Sequence, residues 1–153
     1  MIQVGDKAPA FELPDADMST CDSTSLSGGP YVIYFYPKDD TPGCTMEGIE
    51  FTELMGEFDK LGIDVIGVSR DTCQSHAAFR DKYGLNIRLL ADVEGVLCDA
   101  YDVWREKEKN GEKKMGIVRS TFVVDGEGVV RYAGYDVKPK GHAAEMLEVA
   151  KAI

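Results

Sequence analysis

Tyr31-Val32-Ile33-Tyr34-Phe35-Tyr36-Pro37-Lys38-Asp39-Asp40-Thr41-Pro42-Gly43-Cys44-Thr45-Met46-Glu47 changes character twice along its length. Its first six residues are continuously apolar or aromatic. Such a run is too short for a helix and rich in strand formers, so it reads as a buried central strand. Pro37 ends the strand because it has no N–H to give to a ladder. A polar loop follows. From Thr45 onward, apolar residues recur at Met46, Ile49, Leu54, Met55, Phe58 and Leu61. That spacing predicts an amphipathic helix over about 45–61, with Gly62 as its stop.

Downstream, Ile63 to Ser69 reads as a second buried strand. Asp71 or Thr72 can cap a helix that runs to Tyr83 and stops at Gly84. Ile87 to Ala91 is a short strand, and Val96 to Tyr101 a short helical turn. The charged run Arg105 to Lys114, broken by Asn110-Gly111, reads as a solvated loop or hairpin tip. Thr121-Phe122-Val123-Val124 and Val129 to Ala133 flank Asp125-Gly126-Glu127-Gly128, a hairpin signal. His142 to Ala152 predicts a last helix. Upstream of Tyr31, Pro9, Pro14, Ser23-Thr24-Ser25 and Gly28-Gly29-Pro30 leave room only for short extended pieces.

Strand, helix, strand, helix, strand, then hairpin and helix implies parallel pairing on one side and antiparallel pairing on the other. The expected class is α/β: a mixed central sheet with helices on both faces. A thioredoxin-like arrangement satisfies this order. The 153 residues fit one domain, 1–153.

Composition narrows the function classes. A net charge of −10 disfavours nucleic acid and anionic membranes as partners. No apolar stretch approaches the roughly 20 residues that span a bilayer, and Met1 to Phe11 lacks the basic-then-apolar pattern of a secretory leader. A cytoplasmic setting is expected. The four cysteines, Cys21, Cys44, Cys73 and Cys98, form no C-x-x-C pair. That argues against a zinc ribbon and against a dithiol exchange site. Two distant histidines give no metal-ligand cluster, so neither a metal nor a cofactor is expected.

Cys44 stands apart from the other cysteines. It falls at a strand-to-helix junction, where α/β sheets build their ligand sites. In the first helical turn, backbone N–H groups lack intrahelical partners and the helix dipole is positive, which favours a thiolate. A thiolate is the nucleophile that peroxide reduction needs. Thr41, three residues earlier, can aim its hydroxyl at the sulfur or at a peroxide. Pro42 stiffens the loop, and Gly43 lets a substrate come close. The alternative is a small buried core thiol. The polar loop around Cys44, off the helix's apolar face, favours the reactive reading.

Pro37-x-x-x-Thr41-x-x-Cys44 resembles the active-site signature of the peroxiredoxins, and Phe35 to Thr45 resembles their Q-type group, the bacterioferritin comigratory proteins. The resemblance spans most of the chain, including Gly5 to Phe11, Gly67-Val68-Ser69, Ser75-His76, Leu89 to Asp92, Tyr101 to Trp104 and Gly116 to Phe122. It implies a thiol peroxidase acting on hydrogen peroxide and organic hydroperoxides. Cys44 would be the peroxidatic cysteine, Thr41 a hydrogen-bond partner of the peroxide, and Arg119 the cation that holds the thiolate. Read without the resemblance, Arg119 is a surface residue entering a strand. Glu47 would orient the arginine, or is simply a first-turn acid favoured by the dipole. Trp104 would pack beneath the site. A thioredoxin-like or glutaredoxin-like reductant is implied, and a monomer or weak homodimer. A redox-sensing module and a thiol-disulfide exchanger are the competing functions.

The chain departs from the Q-type pattern at the resolving cysteine. The position five residues after Cys44 is Ile49, and the alternative position on the next helix is Arg80. Cys73, two helical turns before Arg80 and so on its face, is the remaining candidate, beside a one-cysteine mechanism. Cys98 reads as a core residue. Cys21 reads as incidental, with an exposed thiol there able to join partners. His76 reads as a helix cap or surface hydrogen-bonding residue, and His142 as lying near the start of the last helix.

Overall fold

The computed structural model describes residues 1–26 and 29–153; the turn expected at Gly28 lies outside them. Near the N-terminus, β1 (Glu12–Pro14) and β2 (Thr20–Asp22) pair antiparallel, followed by a 3-10 turn at Ser23–Ser25. The elements that position the site come next: β3 (Tyr31–Phe35), α1 (Pro42–Lys60), β4 (Asp64–Ser69), α2 (Cys73–Tyr83), β5 (Arg88–Ala91), α3 (Val96–Ala100), β6 (Trp104–Lys109), β7 (Glu112–Ile117), β8 (Ser120–Val124), β9 (Val130–Gly134) and α4 (His142–Lys151).

The central sheet has the order β5-β4-β3-β8-β9. β3, β4 and β5 run parallel, while β8 is antiparallel to both β3 and β9. Every residue of β3 is buried because the sheet is covered on both sides. Val32 and Tyr34 face α1, α2 and α4, joined by Phe51, Phe79 and Met146. Ile33 and Phe35 face α3 and the N-terminal pieces, joined by Phe11, Leu97 and Tyr101. Tyr34 stacks on Phe51, centroids 4.8 Å apart.

Three local differences from the sequence expectation have physical causes. Helix α1 begins at Pro42 rather than Thr45, because proline is tolerated at the first helical position. Its inward face is Cys44, Glu47, Gly48, Phe51, Met55 and Phe58, whereas Met46 and Leu61 are exposed. Cys44 therefore lies on the buried face, not off it. The charged stretch forms a full hairpin, β6 with β7, turning at Asn110 and Gly111, both with positive φ. Its strands escape notice in the sequence because Glu106 to Met115 are solvated and carry no apolar alternation.

Candidate active site

The loop from Pro37 to Thr41 carries the chain from β3 into α1. Two consecutive acids tie it to α2. Asp39, buried, accepts from Tyr36 Oη at 2.6 Å and Ser75 Oγ at 2.8 Å, and its carboxylate lies 2.7 Å from His76 Nδ1. Its backbone N–H donates to Asp71 Oδ2 at 2.8 Å. Asp40, at positive φ, accepts from Lys82 Nζ at 2.7 Å and from the Tyr83 hydroxyl. His76 is completely buried and sits inside α2, so it is neither a cap nor a surface residue. The cap is Thr72, whose side chain accepts from the Ser75 N–H.

Thr41 is the N-cap of α1, with extended backbone. Its hydroxyl does not cap the helix but donates to the Lys38 carbonyl at 2.8 Å. That leaves the oxygen's lone pairs to accept. Cys44 is the third helical residue and 2% exposed. The N–H groups of Gly43 and Cys44 belong to the turn that has no carbonyl four residues earlier inside the helix.

Arg119 reaches this point from the link between β7 and β8. Its Nη2 lies 3.4 Å from Cys44 Sγ, and its Nη1 donates to Glu47 Oε1 at 2.7 Å. The backbone carbonyl of Arg119 accepts from the Val137 N–H at 2.9 Å, which fixes the link. Burial opposes the charge on Arg119, but Glu47 and Cys44 beside it outweigh that and raise its pKa. Burial also pushes Glu47 up, to about 7, against the pull of Arg119. Gly43 also makes room for this arginine: a Cβ there would stand 2.9 Å from Arg119 Nη2. Pro37 is half-buried at the loop's start, and Pro42 is exposed at the helix start.

The structure brings Cys44, Arg119 and Glu47 into direct contact, with Thr41, Pro42 and Gly43 on the adjoining turn. Cys73 is the first residue of α2 and half-buried. Cys98 is buried, its thiol pushed far up by burial and by Asp92. Cys21 is fully buried too, in β2, so it offers no exposed thiol to join partners; burial raises its pKa. Trp104 packs with the opposite face of the sheet from Cys44, under the Arg70 guanidinium at 4.3 Å. His142 opens α4, buried, with Nε2 2.8 Å from Thr121 Oγ1. Arg80 pairs with Asp17 and Asp81.

The sequence model of the AhpC/TSA family matches residues 4–133. The chain belongs to the AhpC/TSA family. Within it, the chain groups with the Bcp/PrxQ peroxiredoxins. It is 46% identical over 148 residues to peroxiredoxin Bcp of Xanthomonas campestris pv. campestris, covering 95% of this chain and 92% of that one. It is 42% identical over 150 residues to peroxiredoxin Bcp of Bacillus subtilis, covering 98% and 96%. The structure of a cysteine-to-serine mutant of Xylella fastidiosa PrxQ superposes with a TM-score of 0.94 at 35% identity, covering 99% of this chain and 97% of that one. That of the X. campestris bacterioferritin comigratory protein, studied for its alkyl peroxide reduction activity, superposes with a TM-score of 0.88 at 43% identity, covering 93% and 90%. The peroxiredoxin thus has the thioredoxin-like fold, with its mixed sheet and helices on both faces.

Sequence reasoning missed two parts of this peroxiredoxin site. One is the Asp39–His76 link; the signal was an acid inside the loop and a histidine on the next helix, neither informative until the fold joins them. The other is the close approach of Arg119 to Gly43, which only the packed structure reveals.

Proposed function

We infer that this chain reduces hydrogen peroxide and organic hydroperoxides with Cys44 as the nucleophile. The observation that carries the reading is the 3.4 Å contact between Arg119 Nη2 and Cys44 Sγ at the start of a helix. A fixed cation and free helix-end N–H groups both favour an anionic sulfur.

The thiolate attacks one peroxide oxygen. A sulfur–oxygen bond forms, the oxygen–oxygen bond breaks, and the other oxygen leaves as an anion that takes up one proton to become water or alcohol. The sulfur ends as a sulfenic acid. Arg119 stabilises the thiolate and the charge that develops on the leaving oxygen. Thr41, with its hydrogen given to Lys38, accepts from the peroxide O–H and orients it. Glu47 holds the guanidinium in place. Pro37 and Pro42 limit the loop, and Gly43 leaves Arg119 its space.

A thioredoxin-like or glutaredoxin-like thiol donor then restores the thiolate, in the reducing cytoplasm that four unpaired cysteines suit. The working unit is a monomer or weak homodimer. Cys73 condenses with the sulfenate as an intermediate step, or the donor attacks the sulfenate directly.

Cys44→Ser is expected to abolish peroxide consumption with thioredoxin as donor; retained turnover would defeat the reading. Intact mass after one equivalent of hydrogen peroxide separates the recycling routes. Loss of two hydrogens in the wild type, with an added oxygen in Cys73→Ser, establishes the disulfide. An added oxygen in both assigns the one-cysteine route.

A further inference from the structure

The reaction above leaves a proton unaccounted for: an anionic sulfur becomes a neutral sulfenic acid, and the leaving oxygen must be protonated. The site contains a buried acid, Glu47, bonded to the same guanidinium that contacts the sulfur. Glu47 is fully buried, and it shares one cation with Cys44, since Arg119 contacts both. Only one of its carboxylate oxygens is served. Glu47 Oε1 accepts from Arg119, while buried Oε2 has no hydrogen-bond partner among the described residues.

The groups around the carboxyl reinforce this. Along α1, Glu50 brings negative charge. From β3, Tyr34 carries a hydroxyl that burial holds neutral. From α4, burial and the Arg119 charge lower the pKa of His142. From β6, Lys107 donates to the Ile117 carbonyl, and its charge acts on Arg119 and Cys44. Arg119 is thus the cation in direct contact. Two buried anions against one guanidinium are unfavourable, and a carboxyl neutralises by taking a proton when its ionised form is under-served. Burial already raises Glu47 to about 7 against the pull of Arg119.

We propose that Glu47 carries a proton while the Cys44 sulfur is anionic and gives it up to the leaving oxygen as the sulfur is oxidised. This rests on the peroxidase reading and deepens it. The balance closes. Thiolate and neutral carboxyl react with a hydroperoxide to give sulfenic acid, carboxylate and alcohol, or water from hydrogen peroxide. One negative charge moves from sulfur to carboxylate, and no proton is drawn from solvent. The released carboxylate is then paired with Arg119 alone.

Difference infrared spectroscopy tests this on the reduced protein near neutral pH, before and after one equivalent of hydrogen peroxide. The expected result is loss of one neutral-carboxyl band per Cys44 oxidised, moved by carbon-13 glutamate labelling and missing from Glu47→Gln. A pH indicator should report no proton uptake by the wild type and one proton per oxidised sulfur in Glu47→Gln. The labelled wild type keeps the test decisive if the variant folds poorly. If mass spectrometry shows Cys44 oxidised with no change in the glutamate band, the proton assignment is overturned and the peroxidase reading stands. If Cys44 does not react with peroxide, both fall.

Discussion

His76 Nδ1 lies 2.7 Å from Asp39 Oδ2, and Nε2 of the same ring lies 2.8 Å from the Leu90 carbonyl oxygen. A carbonyl can only accept, so Nε2 carries a hydrogen. The Nδ1 contact with the carboxylate holds a further proton between the two groups. This buried pair joins the loop that precedes Cys44 to helix α2 and strand β5.

Removing one partner strands the other without compensation. Asp39→Ala and His76→Ala are each expected to destabilise the fold by roughly 3–5 kcal/mol, read from urea denaturation. Peroxide reduction should slow in the folded fraction as well, since Asp39 sits in the active-site loop. A loss under about 0.5 kcal/mol, the range of ordinary surface substitutions, would mean the pair does not hold the loop.

Gly43→Ala separates geometry from stability. The added Cβ would stand 2.9 Å from Arg119 Nη2, so the guanidinium must shift away from the sulfur. A displacement near 1 Å at a reacting centre costs up to about 100-fold in rate. Stopped-flow measurement of Cys44 oxidation should show a loss of that order. The denaturation midpoint should change little, because the displaced atom is the end of a flexible side chain. An unchanged rate would show that the contact is dispensable.

Arg119→Met keeps much of the side chain's bulk and removes its charge. Loss of one such donor typically costs about 100- to 1000-fold in rate. The same variant leaves Glu47 buried without its partner, so its pH dependence should change as well. Peroxide consumption within about fivefold of wild type would remove Arg119 from the mechanism; an ordinary exposed ion pair, at up to about 1 kcal/mol, carries no more than that.

Glu47 imposes a pH dependence of stability whose sign is fixed. Burial raises its pKa from 4.5 to about 7 despite Arg119, so the folded chain holds this proton more tightly than the unfolded chain. Its favourable contribution is complete below about pH 4.5, declines as pH rises, and is gone above about pH 7. The change is on the order of 3 kcal/mol. Denaturation of wild type and Glu47→Gln across that window should show the wild type losing ground with rising pH. A wild type that gains on the variant over the same window would reverse the sign.

The buried thiols give a contrasting prediction. Burial raises the pKa of both Cys21 and Cys98 and closes them to reagents. Iodoacetamide should leave both unmodified in the folded protein and label both after denaturation, while half-buried Cys73 reacts in the folded state. Early labelling of Cys21 would contradict its place in the core.

Local chemistry made much of the chain legible in advance. The six-residue apolar run had to be a covered strand, the periodic stretch after Cys44 had to be a helix, and Gly62 and Gly84 had to end theirs, both at positive φ. Those assignments depend on neighbours along the chain, where steric and hydrogen-bonding rules act directly. The placement of Cys44 at a helix start followed from them. The choice among partners 75 residues away did not. Arg119 reads equally as a surface residue until β8 pairs antiparallel with β3 and carries it over Cys44. His76 reads as a surface residue until α2 packs beside the loop. Burial, which turns the Glu47 carboxyl into a group that holds a proton near neutral pH, arises only when α1 is pressed onto the sheet. Periodicity fixes which elements form. Which charges end up sharing a dry space is a property of their packing.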